Sequence, residues 1–196
     1  MVEGPIGAGK TSLSRLLAAE LDARLILEIV EENPFLASFY QDPEGYAFRV
    51  QTFFLLSRYK QIQDLHQGAL FSPHAVSDYM FDKDFIFASL NLRGDEWELY
   101  QDLYQNLKPK LAEPDLVVYL RAQPHLLLKR ISKRNRYFEQ NIQPDYLRRL
   151  GQAYDDYFEH YTGELHVIEA ADYDFVEQSQ DRERLVTDIL ETVKVF

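Results

Sequence analysis

A chain of 196 residues is long enough for one well-buried domain and short for two independent cores, so a single domain over residues 1–196 is expected. Hydrophobic residues at 46% and charged ones at 27% are ordinary for a soluble globular protein, and no apolar run approaches the length that spans a bilayer. A formal net charge of -11 argues against a protein that lives on nucleic-acid backbone, where nonspecific affinity comes from Lys and Arg, but it allows small anions at a local basic site.

The start, Met1 to Pro5, lacks the basic and then apolar stretches of a secretory signal, and the chain has no cysteine, so a cytoplasmic location is expected. Apolar periodicity predicts a helix over about Lys10–Leu21, a strand near Leu25–Val30 and a long aromatic-rich helix over about Tyr46–Gln67. A second strand should end near Asp78. Trp97–Leu111 reads as helix, Asp115–Leu120 as a buried strand, and Pro124 to about Lys133 as a helix with proline in its first turn. Helix continues over about Pro144–Tyr161, His166–Glu169 is a last short strand, and Asp181–Val193 a closing helix. Strands alternating with helices at this spacing imply βαβ units, hence a parallel sheet of five strands, counting the residues before Gly4, covered by helices on both faces. His66, His74, His125, His160 and His166 have no close metal-ligand spacing, and no structural zinc is expected.

The run Gly4-Pro5-Ile6-Gly7-Ala8-Gly9-Lys10-Thr11 fits GxxxxGK(S/T) in full, directly before a predicted helix. Its glycines let backbone N–H groups close around phosphate oxygens, and the helix N-terminus adds partial positive charge. Lys10 is placed to reach the β- and γ-phosphates of a nucleotide, and Thr11 its magnesium ion. Only Met1, Val2 and Glu3 precede this P-loop, whereas a strand usually has about five residues. Either the central strand is unusually short or its first residues precede Met1.

Beyond the P-loop, Glu28-Ile29-Val30-Glu31-Glu32-Asn33-Pro34-Phe35-Leu36, Phe39-Tyr40-Gln41-Asp42-Pro43, Gln51 to Arg58 and Phe85-Ile86-Phe87-Ala88-Ser89 follow in order, and Arg130 to Arg136 then Glu139-Gln140 close the series. In these segments the chain resembles the deoxyribonucleoside kinase family, and within it the bacterial deoxyguanosine and deoxyadenosine kinases. The resemblance implies an ATP-dependent kinase, working with Mg2+, that phosphorylates the 5′-hydroxyl of a deoxyribonucleoside. It also implies an arginine-rich lid over about residues 130–142 and a homodimer through helices on one side of the sheet.

Specific roles come with it. Glu28, at a predicted strand end, resembles the carboxylate that accepts the 5′-hydroxyl proton. Arg130, Arg134 and Arg136 resemble lid cations that neutralise the transferring phosphoryl group. Tyr40 and Glu139 resemble the pair that holds the sugar 3′-hydroxyl, with the Tyr40 ring crowding C2′ against a ribose. Gln51 resembles the base-reading amide, Arg58 the basic residue near the base edge, and Phe87 a ring stacked on the base. Asp78 falls in the nucleoside pocket and, with Thr11, in the magnesium shell.

One departure stands out. Many family members carry an acidic-Arg-Ser triplet after the third strand, whereas this chain has Asp78-Tyr79-Met80 and here resembles more closely the bacterial deoxyguanosine kinases, with Asp-Tyr at the same place. The role of the missing arginine is expected to be absent or supplied from the lid. Arg58 offers donors only, which suits guanine N7 and O6; Asp82 or Asp84 could accept from guanine N1-H and N2-H₂, or instead pair with Arg58 and so admit adenine or cytosine. Deoxyguanosine is expected first and deoxyadenosine second. Two other readings share the P-loop: a thymidylate-kinase-like monophosphate kinase, which would need cations for the acceptor phosphate, and a nucleotide-binding switch, for which no NKxD base-reading motif occurs.

Overall fold

A computed structural model describes residues 1–30, 32–68, 74–111, 113–139 and 142–193. Among them are the strands β1 (Val2–Glu3), β2 (Arg24–Ile26), β3 (Ala75–Ser77), β4 (Val117–Arg121) and β5 (Leu165–Glu169). All pairings are parallel: β4 lies between β1 and β5, with Val2 opposite Val118 and Tyr119 opposite Val167, while β2 pairs with β3, Leu25 opposite Val76.

The expected single five-stranded sheet is therefore corrected to a three-stranded sheet and a separate two-stranded ladder. The reason lies in β1. With two residues, β1 spends its backbone on β4, and it meets the β3 end through a side chain: the Glu3 carboxylate accepts from Gly4 N at 2.8 Å with Oε1 and from Met80 N at 3.0 Å with Oε2. β2 is also shorter than Leu25–Val30, because the Asp78 carboxylate takes the Glu28 amide at 2.7 Å and so leads the chain out of the ladder after Ile26.

The helices are α1 (Lys10–Glu20), α2 (Leu36–Gln41), α3 (Pro43–Gly68), α4 (Lys83–Asn91), α5 (Gly94–Leu107), α6 (Pro124–Arg134), α7 (Pro144–Glu159) and α8 (Ser179–Val193). α5 stops four residues before Leu111 and tightens into a 3₁₀ turn at Lys108–Lys110, where Pro109 has no N–H to donate. Neither α2 nor α4 was expected. α2 is only six residues long, and α4 turns Lys83 and Asp84 inward beside Ile86 and Ala88, which hides its apolar period.

Both faces of β4 are covered. Val118 and Leu120 pack with Leu13, Leu17, Leu127 and Leu185, while Val117 and Tyr119 pack with Ile86, Leu150, Tyr154 and Phe158. Burying one such side chain contributes about 1.5–3 kcal/mol. A further cluster, including Leu55, Tyr79, Ala88 and Tyr100, joins α3, α4 and α5. Among the described residues no helix is long and apolar enough to cross a membrane.

Candidate active site

The P-loop leaves β1 against the neighbouring strand. A Cβ on Gly4 would stand 2.5 Å from the Leu120 carbonyl oxygen, so the loop can pass only with no side chain there. Gly9 has φ +106°, and a Cβ on it would meet the Phe175 ring at 2.9 Å. The Lys10 ammonium folds back on the loop, donating to Gly4 O at 2.7 Å and Pro5 O at 3.1 Å, and so stands where nucleotide phosphates would replace those carbonyls. Burial, then the nearby Lys83 cation, push the Lys10 amine down to about 8 despite Glu3, Glu28 and Asp78.

Thr11 Oγ1 donates to Asp78 Oδ2 at 2.5 Å. A hydroxyl and a carboxylate side by side at the mouth of a phosphate loop are hard oxygen donors that fit Mg2+, and two of them leave the rest of its shell to water and phosphate oxygens. Asp78 thereby joins the P-loop to the Glu28 amide, tying the nucleotide side of the site to the acceptor side.

Glu28 lies between two cations. Its Oε1 accepts from Arg58, and its Oε2 from Lys83 Nζ at 2.5 Å. Arg58 in turn donates through its other terminal nitrogen to Asp84, which is fully buried. Burial alone would raise the Glu28 pKa, but the Arg58 and Lys83 charges outweigh it and hold the carboxyl well below the usual carboxylate range. Asp84 behaves otherwise: burial pushes it up to about 7 against the pull of Arg58.

The arginine-bearing segment is the end of α6, its left-handed Asn135 and a 3₁₀ turn at Tyr137–Glu139. Arg134 pairs with Glu139, Nε to Oε2 at 3.1 Å and Nη2 to Oε1 at 2.6 Å, and Arg136 stands 3.8 Å from the same carboxylate. Arg130 instead braces the backbone, donating to Ala8 O at 2.7 Å and Ala170 O at 3.0 Å, and so fastens the P-loop to the end of β5. Glu31 of the acidic segment, and Gln140 of the lid, lie outside the described residues.

A cavity of about 740 Å³ brings these groups together. Lys10, Thr11, Glu28, Asp78 and the three arginines line it, as do Tyr40, Gln51, Arg58, Phe87 and Glu139, so each expected acceptor-side residue faces one space. Burial raises the Tyr40 phenol pKa, leaving it a neutral donor. Two residues beyond those expected also build the site: Glu3 is buried and receives Tyr154 OH at 2.9 Å, and Lys83 holds Glu28. Asp84 takes the second of its two expected arrangements and holds Arg58. The cation on the second oxygen of Glu28 comes from the start of α4. The one signal for it in the sequence was a lysine between Asp82 and Asp84, five residues past Asp78, which only an unforeseen helix turns back to the strand end.

Comparison with known proteins agrees with this geometry. The deoxynucleoside kinase family model matches residues 1–194. The deoxyguanosine kinase of Bacillus subtilis (strain 168) is 36% identical over 98% of this chain and 96% of its own, and the deoxyguanosine kinase of Lactobacillus acidophilus is 33% identical over 99% and 90%. Among solved structures, the deoxyadenosine kinase from M. mycoides with dCMP and a flexible dCDP bound superposes with a TM-score of 0.85 at 25% identity, covering 100% of this chain and 98% of that one. With a phosphate loop, a paired carboxylate and a cationic segment around one cavity, and with family similarity along nearly its whole length, the chain belongs to the deoxynucleoside kinase family.

Proposed function

We propose that the protein transfers the γ-phosphoryl group of ATP to the 5′-hydroxyl of a purine deoxyribonucleoside in cytoplasmic nucleotide salvage, with deoxyguanosine preferred and deoxyadenosine second. The observation that carries this reading is the Glu28 carboxylate, held ionised by Arg58 and Lys83 and opening on the same cavity as Lys10 and Arg134. Glu28 accepts the 5′-hydroxyl proton as the oxygen forms its bond to phosphorus, and the bond from phosphorus to the bridging β–γ oxygen breaks to release ADP. Lys10 and the lid arginines hold the phosphate oxygens in line. Thr11 and Asp78 would hold Mg2+, which would supply charge neutralisation. Closure of the segment bearing Arg134 and Arg136 keeps water from competing as acceptor.

Two observations bear on the acceptor. Arg58 and Lys83 are already paired with carboxylates, which leaves a poor seat for an acceptor phosphate and favours a nucleoside over a monophosphate. The Arg58–Asp84 pair is the arrangement read as admitting adenine or cytosine, so deoxyadenosine stays as the second substrate; the deoxyguanosine-first order rests on Asp78-Tyr79 and on the similarity to deoxyguanosine kinases. A homodimer belongs to the same proposal, supported by Leu56 on α3 and Leu99 on α5, both about half exposed. Assaying ATP with the four common deoxynucleosides and their monophosphates tests the reading: turnover of a purine deoxynucleoside is expected, and transfer only to monophosphates, or to nothing, overturns it.

A further inference from the structure

Between the acceptor pocket and the P-loop sits a buried cation against Glu28. Lys83 is the first residue of α4, its side chain is 7% exposed, and its ammonium donates to Glu28 Oε2 at 2.5 Å. It also lies close enough to Lys10 to help depress that amine. One helical turn on, the Phe87 ring centroid is 5.7 Å from Nζ. Lys83 therefore borders the nucleotide side and the acceptor side at once.

The other candidates for this place are committed elsewhere. Tyr79, which follows Asp78, is fully buried among the α3–α5 side chains and donates its hydroxyl to Gln61 at 2.7 Å, so it offers no cation. Arg134 is paired with Glu139, and Arg130 with two backbone carbonyls. Arg58 divides its guanidinium between Glu28 and Asp84. Only Lys83, among the described cations, meets the second oxygen of Glu28.

We infer that Lys83 is a positioning residue for Glu28: with Arg58 on one carboxylate oxygen and Lys83 on the other, the carboxylate plane is fixed. The inference rests on the reading of Glu28 as the base. Arg58 and Lys83 against Glu28 and Asp84 make a tetrad of two cations and two anions, so loss of one cation leaves a carboxylate uncompensated. Lys10 adds a further cation facing Glu28, while Tyr40, Tyr79 and Tyr154 face it as phenols held neutral by burial and Asp78 meets its amide.

The test compares Lys83→Met, Lys83→Gln and Lys83→Arg in steady-state turnover, each also in a Glu28→Gln background, with thermal melting to verify folding. Neutralising Lys83 should lower kcat roughly 10²-fold with little change in nucleoside KM. Lys83→Arg should restore most of the turnover. In the Glu28→Gln background the same changes should cost less than about twofold, because a residue acting through Glu28 has nothing left to position. Losses that persist there, or a Lys83→Gln enzyme with the original kcat, overturn the inference. If neutral variants fail to fold, Lys83→Arg decides: retained kcat supports the role, and a lost kcat in a folded protein refutes it. A Glu28→Gln enzyme of normal turnover would instead remove the base assignment itself.

Discussion

Arg134 grips Glu139 through two guanidinium nitrogens while Glu139 itself is almost wholly buried, so one carboxylate meets both the cation proposed for the phosphoryl group and the proposed sugar site. A 3′-hydroxyl that donates to Glu139 would share it with Arg134 and thereby fix the lid cation. Hydrogen bonds to charged groups contribute about 1.5–3 kcal/mol, so a 2′,3′-dideoxynucleoside should lose roughly 10- to 100-fold in kcat/KM against its 3′-hydroxyl parent. In Glu139→Gln that gap should shrink to a few-fold. An undiminished gap in the variant would place the 3′-hydroxyl elsewhere.

Glu28→Gln keeps the shape of the side chain and removes the carboxylate proposed as the base. Turnover is expected to fall roughly 10²- to 10⁴-fold, with nucleoside affinity, read by calorimetry, changing far less. Because the change also leaves Lys83 and half of Arg58 without an anion, the melting temperature should drop as well. The native ion pairs hold the Glu28 pKa below its usual 4.5, so their stabilisation is present above that pH and lost as pH falls. The variant's stability should accordingly depend less on pH in the acid range.

Lys10 offers a second titration with the opposite sense. The free enzyme loses the Lys10 charge as pH rises through about 8, whereas bound phosphates would keep the proton to higher pH. ATP affinity should therefore be full near pH 7 and weaken above pH 8, reaching about tenfold weaker near pH 9 by proton linkage. In Lys10→Met the affinity should be lower throughout and flat over this window. A wild-type affinity that does not change between pH 7 and pH 9 would contradict the depressed amine.

The P-loop was legible in the sequence because its chemistry is local: the glycines, Lys10 and Thr11 act within eight residues, and any chain with that spacing turns its amides inward. Strand β4 was legible because both of its faces are buried, which leaves a continuous apolar run. What was not legible depends on tertiary pairing. The split of the sheet follows from Glu3 using its side chain where a backbone ladder was expected, and nothing near Glu3 in the sequence signals that Met80 will lie opposite. Lys83 escaped because α4 carries its polar residues on the inside, so the pattern that marks a helix was absent where the helix positions a cation.

The base preference turns on Asp84. In the unliganded site, Asp84 holds one end of Arg58 and Glu28 the other, which draws the guanidinium away from the geometry that would give two donors to guanine N7 and O6. Asp84 is fully buried and acts on the base through Arg58, which it should restrain from guanine. Asp84→Asn keeps the volume and removes the charge, so the ratio of kcat/KM for deoxyguanosine over deoxyadenosine should rise, by about tenfold if one charged hydrogen bond of about 1.4 kcal/mol is at stake. Side-by-side kinetics of wild type and variant with the two nucleosides read this directly; a ratio that stays level or moves toward deoxyadenosine would mean that Asp84 serves guanine, through N1-H and N2-H₂.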